Sequence, residues 1–99
     1  MELLTEAILE KLPPLYSTDG KDLGEVKAVV KFFTPWSNWT WYAAEFDGKD
    51  TFFGLVDGFE RELGYFSLQE LNSVTGPMGL KVERDLHWKE QDLATLMHE

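Results

Sequence analysis

The side chains best suited to chemistry in this chain are few and scattered. His87 and His98 are its two imidazoles. His87 lies among acids at no recognised metal-ligand spacing, and without a single cysteine no thiolate completes such a site. His98 stands next to the last residue. Asp47 and Asp50 bracket D-G-K-D, which lacks the spaced acids and downstream Glu of a calcium loop. Glu83 and Asp85, two residues apart, share a strand face and form a potential acid pair, or partners for Arg61 or Lys81. Arg84 between them shares the strand face of Leu80, Val82, Leu86 and Trp88, opposite Lys81, Glu83, Asp85 and His87. An unpaired buried charge is costly, so Arg84 reads as half of a structural ion pair or as a functional arginine. Gly54, Gly58 and Gly64 lack the spacing of a phosphate-cradling loop, and no Lys-Ser/Thr follows them. No catalytic set, metal site or cofactor motif emerges. The reading leans away from an enzyme, the enzymatic alternative being a pocket that joins Arg84 to nearby carboxylates.

Binding chemistry is better supplied. Glu45, Asp47, Asp50, Asp57, Glu60 and Glu62 crowd one segment, against Lys49 and Arg61. With Trp41 and Phe52 they suggest an aromatic sheet surface with an acidic rim, suited to a basic protein partner or to imitation of nucleic-acid charge. The plain alternatives are a solvated acidic surface and a helix packed over Trp41 and Phe52. A second set, Lys27, Lys31, Trp36, Trp39 and Trp41, holds the ingredients of single-strand stacking if Lys27 faces Glu45 and Lys31 faces Trp41. Otherwise Trp36 and Trp39 fold over a sheet edge.

The elements that must position these residues are strands. In V-K-A-V-V-K-F-F the even-numbered Val26, Ala28, Val30 and Phe32 alternate with Lys27, Val29 and Lys31, the period of a half-buried strand. Pro35 interrupts it, and residues 34 to 39 read as a loop. T-W-Y-A-A-E-F-D and T-F-F-G-L-V flank Asp47-Gly48, a strong hairpin signal. A two- or four-residue turn puts Phe46 opposite Thr51, Ala44 opposite Phe53 and Tyr42 opposite Leu55. The even-numbered residues from 26 to 46 then form one inward face, and Ala43 meets Gly54 on the other. A glycine there marks close approach by a backbone or a ligand.

E-L-G-Y-F supplies a fourth strand, and alternation over residues 80 to 88 suggests a fifth. Thr5 caps a first helix with Leu4, Ala7, Ile8 and Leu12 as its stripe, stopped by Pro13 and Pro14. Ser67 and Glu70 form a capping box for a helix ending near Ser73. Asp92 caps a last one. Residues 15 to 24 read as a surface loop. The expected fold class is α+β: a single domain with a largely antiparallel, twisted sheet of about five strands and short helices at the N-terminus, after strand four and at the C-terminus.

Ninety-nine residues suffice for one core. Eighteen acids against nine bases give a net charge of −9, which opposes direct nucleic-acid binding, since that affinity comes from neutralising phosphates. The acidic start lacks the basic end of a signal peptide, and no apolar run has the length of a membrane span. A soluble cytoplasmic protein is expected, with no membrane association.

The motifs Thr34-Pro35, Thr40-Trp41-Tyr42, Phe53-Gly54-Leu55-Val56, Gly64-Tyr65-Phe66 and Glu83-Arg84-Asp85 resemble those of domain-of-unknown-function family 2958. These are small bacterial proteins often encoded on plasmids, phages and integrative elements. The resemblance spans nearly the whole chain. It implies an accessory role on mobile DNA and carries over no activity or catalytic residue. The expectation is a non-enzymatic acidic protein that binds another protein through Trp41, Glu45, Phe52, Asp57, Glu60, Glu62 and Arg84. A homodimer through the exposed aromatic face is a further possibility.

Overall fold

The computed structural model describes all 99 residues, Met1 to Glu99. Its strands are β1 (Lys27–Ala28), β2 (Val30–Phe33), β3 (Thr40–Phe46), β4 (Thr51–Asp57), β5 (Arg61–Ser67), β6 (Glu83–Arg84) and β7 (Gln91–Asp92). Five of them form one sheet in the order β5-β4-β3-β2-β6, while β1 and β7 pair separately. All pairings are antiparallel. With the helices α1 (Glu6–Lys11), α2 (Leu68–Ser73) and α3 (Leu93–Met97), the fold is α+β, as the alternation and capping signals indicate. No helix is long and apolar enough to cross a membrane.

The caps act where the sequence places them. Thr5, Ser67 and Asp92 accept hydrogen bonds from the amides of Ile8, Glu70 and Thr95, filling donors that a first helical turn leaves free. Asp50 reinforces the start of α2: its carboxylate accepts from Ser67 Oγ (2.6 Å) and from the Gln69 amide (2.8 Å). The stripe of α1 differs from expectation. Ala7 is exposed, and the residues buried at either end of the helix are Leu3 and Leu12.

The central hairpin departs from the expected register at its turn. The loop has three residues, 48–50, closed by the Asp47 amide donating to the Thr51 carbonyl (2.9 Å). An odd loop shifts the pairing by one, so Phe46 meets Phe52 and Glu45 meets Phe53. A β-bulge between Ala43 and Glu45 absorbs the extra residue, and from there Ala43 meets Gly54 and Tyr42 meets Leu55. The glycine is required: a Cβ on Gly54 would lie 1.8 Å from the Tyr42 carbonyl oxygen. The close approach at Gly54 is therefore by the neighbouring backbone.

A second correction concerns β2. It pairs with Lys31 opposite Tyr42 and Phe32 opposite Trp41, and the chain passes between sheets at Val29. The even-numbered residues consequently do not share one face. Val30 and Phe32 pack with Ala43, Phe46 and Phe52, whereas Val26 and Ala28 pack with Tyr42, Ala44 and Leu55. Apolar residues pack on both sheet faces: Leu3, Leu12, Leu71 and Val82 cover part of the first, and Leu93 and Leu96 of α3 lie on the second. The strand expected over residues 80 to 88 contracts to β6. Val82 is buried, but Leu80 and Leu86 are exposed.

Candidate protein-binding surface

The face carrying Phe32 and Phe52 has two parts. Near the Asp47 turn, Phe46 and Phe66 stack on Phe52 with ring centroids at 4.5 and 5.1 Å, and Phe32 meets it edge-on at 5.5 Å. Phe52 is fully buried there. Along the strands the same face continues through Trp41, opposite Val56, to Glu62 on β5. This second part remains open.

Trp39 shapes it. In the loop before β3, the Thr34 amide donates to the Trp39 carbonyl (3.0 Å), and the Thr34 hydroxyl contacts that of Ser37. This brings Trp39 over Trp41, nearly parallel at 5.9 Å, and places Phe59 edge-on to it at 5.3 Å. Gly58 makes room: a Cβ there would fall 2.3 Å from a Trp39 ring carbon. Trp36 sits over Gly76 in the same way. Two depressions share Trp39. One of about 390 Å³ is lined by Trp39, Val56, Gly58, Phe59, Glu60 and Glu62. The other, of about 470 Å³, is lined by Thr34, Trp36, Ser37, Trp39, Trp41 and Val74. Neither contains a lysine or arginine. Phe59, 94% exposed, stands at the rim.

Of the residues expected to bind, Trp41, Glu60 and Glu62 gather around Trp39. The others go elsewhere. Phe52 and Glu45 are buried, which corrects their placement on a surface. The packed alternative thus holds for Phe52, under the N-terminal segment and α2. The Glu45 carboxylate accepts from the amides of Tyr16 (2.8 Å) and Thr18 (2.9 Å) and from the Thr18 hydroxyl, anchoring the loop that follows α1. Asp57 forms an ion pair with Arg61 Nε (3.3 Å), and Arg61 also donates to carbonyls at the end of α3. Asp47 accepts from the amides of Lys49, Asp50 and Thr51. Those bonds, led by the one from Asp50, hold its carboxyl below the ordinary range. The expected acidic rim therefore shrinks to Glu60 and Glu62, which join neither of the two ion pairs in the structure.

Arg84 lies on β6, at the opposite sheet edge from β5. No carboxylate lies within ion-pair distance, and its guanidinium donates to the Glu2 carbonyl (2.5 Å). Its surroundings form an open depression of about 340 Å³ that includes Glu83 and Asp85, both half-exposed. These carboxylates do not converge on an enclosed cavity, and no three His, Asp or Glu side chains gather in a metal-holding geometry. Lys31 belongs to the other face. It lies 5.8 Å from the Tyr42 ring centroid and 5.7 Å from that of Trp88, and 3.9 Å from Asp85. The mixed lysine and tryptophan surface is thus not formed.

Reasoning from sequence missed Trp39, Val56 and Phe59 as a unit. The usable signal was Gly58, a turn glycine whose missing side chain leaves space for a large ring.

Comparison with known proteins settles the relationship the motifs suggest. The profile of a family described as a protein of unknown function, DUF2958, matches residues 3–97. The chain belongs to the DUF2958 family. No curated protein and no solved structure matches it significantly. Within this DUF2958 member, the open aromatic surface joins residues separated in sequence: Trp36, Trp39 and Trp41 around the start of β3, and Val56, Phe59 and Glu62 from the hairpin formed by β4 and β5.

Proposed function

We propose that this chain is a non-enzymatic protein-binding module whose Trp39, Trp41 and Phe59 surface receives a basic segment of another protein. The observation that carries this reading is the pairing of stacked aromatic rings with two unpartnered carboxylates, Glu60 and Glu62, in depressions without a basic side chain. An arginine or lysine laid over an indole face is attracted by the ring quadrupole, and the neighbouring carboxylates add direct charge complementarity. The net charge of −9 steers basic partners toward the molecule. Phosphate imitation is less well supported, because Glu45, Asp47, Asp50 and Asp57 serve internal contacts and do not form a row of free charges. A binding module of this kind suits an accessory protein of mobile DNA.

Titration of tryptophan fluorescence with arginine-rich, lysine-rich and glutamate-rich peptides tests the proposal. The basic peptides are expected to bind, with affinity falling as salt rises and on the double substitution Glu60→Gln and Glu62→Gln. Trp39→Ala is expected to abolish the response to peptide while leaving the fold intact by circular dichroism. Equal binding of the acidic peptide, or no binding of basic peptides at low salt, would overturn the reading.

A further inference from the structure

The outer edge of the sheet at β5 adjoins the aromatic surface, sharing Glu62 with it, but offers backbone groups in place of rings. β5 is seven residues long, and its only strand neighbour is β4. Arg61, Glu62, Leu63 and Tyr65 are exposed, and Tyr65 is flanked by exposed Tyr16 at 6.4 Å between ring centroids. No bulge or proline interrupts the strand. Such an edge offers unpaired backbone donors and acceptors to another strand.

Which groups are free follows from the pairing. The Gly58 amide donates to the Glu60 carbonyl (3.1 Å), and the Leu68 amide to the Asp50 carbonyl (2.8 Å). Bonded and non-bonded pairs alternate in an antiparallel ladder, so Glu62, Gly64 and Phe66 direct their backbone groups to β4. Arg61, Leu63, Tyr65 and Ser67 direct theirs outward.

We propose that this edge pairs with the β5 edge of a second copy of the chain, antiparallel about a two-fold axis at Gly64. In that register Arg61 meets Ser67 of the copy and Leu63 meets Tyr65, so all four outward-directed residues find bonded partners. Gly64 faces itself across the axis, with no atom of its own chain within 4 Å of where a Cβ would stand. Glu62 meets Phe66. Shifting the centre to Glu62 would set like charges opposite each other, and shifting it to Phe66 would leave Arg61 and Leu63 unpaired. Arg61 and Glu62 also make β5 locally neutral within a chain of net charge −9, which removes the main obstacle to self-association there. The arrangement is isologous, as a closed dimer requires. It joins two five-stranded sheets into one, with both Trp39 surfaces on the same face.

The chain has no cysteine, so single substitutions report the register directly. Directly opposed residues at a non-bonded pair have Cα atoms about 4.5 Å apart, within disulfide reach. Gly64→Cys is therefore expected to form a covalent dimer on mild oxidation faster than Phe59→Cys, an exposed control. Sedimentation of the native chain is expected to show a rise from 11.4 kDa toward twice that mass with concentration. A chain with Leu63→Lys and Tyr65→Lys, and another with Leu63→Glu and Tyr65→Glu, should each remain at monomer mass. Mixing the two should restore the dimer. A native chain that stays monomeric at its highest soluble concentration, faster cross-linking at position 59 than at 64, or no recovery on mixing would overturn the proposal. None of these readouts depends on peptide binding at Trp39.

Discussion

The two parts of one sheet face show how the same residue type serves opposite ends. Around Phe52 four aromatic rings pack together with Leu3, Leu12 and Leu71 in one apolar cluster, with Phe52 itself fully buried. Around Trp39 the rings also stack and meet edge-on, at 5.9 and 5.3 Å, yet the covering elements stop short and two carboxylates border the gap. Aromatic density by itself does not distinguish core from binding surface. What distinguishes them is whether an apolar element from elsewhere in the chain arrives to close the layer.

Substitutions should separate the two parts by size and kind of effect. Phe52→Ala is expected to have the largest effect on stability, a loss of about 3–5 kcal/mol in urea or thermal unfolding, because it opens a cavity in a sealed layer. A loss below about 1 kcal/mol would mean that the layer is not sealed. Glu45→Ala should follow, costing about 1–3 kcal/mol by leaving the Tyr16 and Thr18 amides without their acceptor. Hydrogen exchange should accelerate at those two amides before it does so in β4.

Gly58→Ala is expected to invert the pattern, with a stability change of roughly 1 kcal/mol and a large loss of basic-peptide binding as Trp39 is displaced. Peptide affinity that survives this substitution would detach Trp39 from the site. The smallest effect is expected from acid. Asp47 and Asp92 both have carboxyls held below the ordinary range, chiefly by the amides of Asp50 and Thr95 respectively. Their stabilisation is present above the unfolded-state value near pH 4 and is lost as pH falls through the lower folded-state value. Asp47→Asn should flatten the acid limb of a stability profile without altering stability differences between pH 6 and 8.

Local chemistry was legible in the sequence wherever one residue decides it. The caps at Thr5, Ser67 and Asp92 and the Asp47-Gly48 turn all rest on a residue acting on nearby backbone, whereas the Ala43–Gly54 pair, expected from an even-length turn, arises from a three-residue loop offset by the bulge. The bulge was not legible, because an extra residue between Ala43 and Glu45 leaves the local alternation unmarked until the partner strand is in place. The adjacent Val29 and Val30 hid the passage from one sheet to the other for the same reason. Of the site, Trp41, Glu60 and Glu62 could be read from their strand and hairpin positions. Trp39 was named only beside the lysines, and its meeting with Phe59 could not be read, since that depends on a loop and a turn brought together only by tertiary structure.

The bulge also constrains how the hairpin assembles. Zippering from the Asp47 turn proceeds in one frame and must accommodate a surplus residue before Tyr42 can engage Leu55. That same step drives a carboxylate inward, where its oxygens are claimed by two amides and a hydroxyl nearly thirty positions earlier in the chain. The central hairpin is thus a poor autonomous nucleus: its closure and the arrival of the N-terminal loop belong to a single cooperative event, and an excised peptide covering residues 40–57 should remain largely unpaired in water.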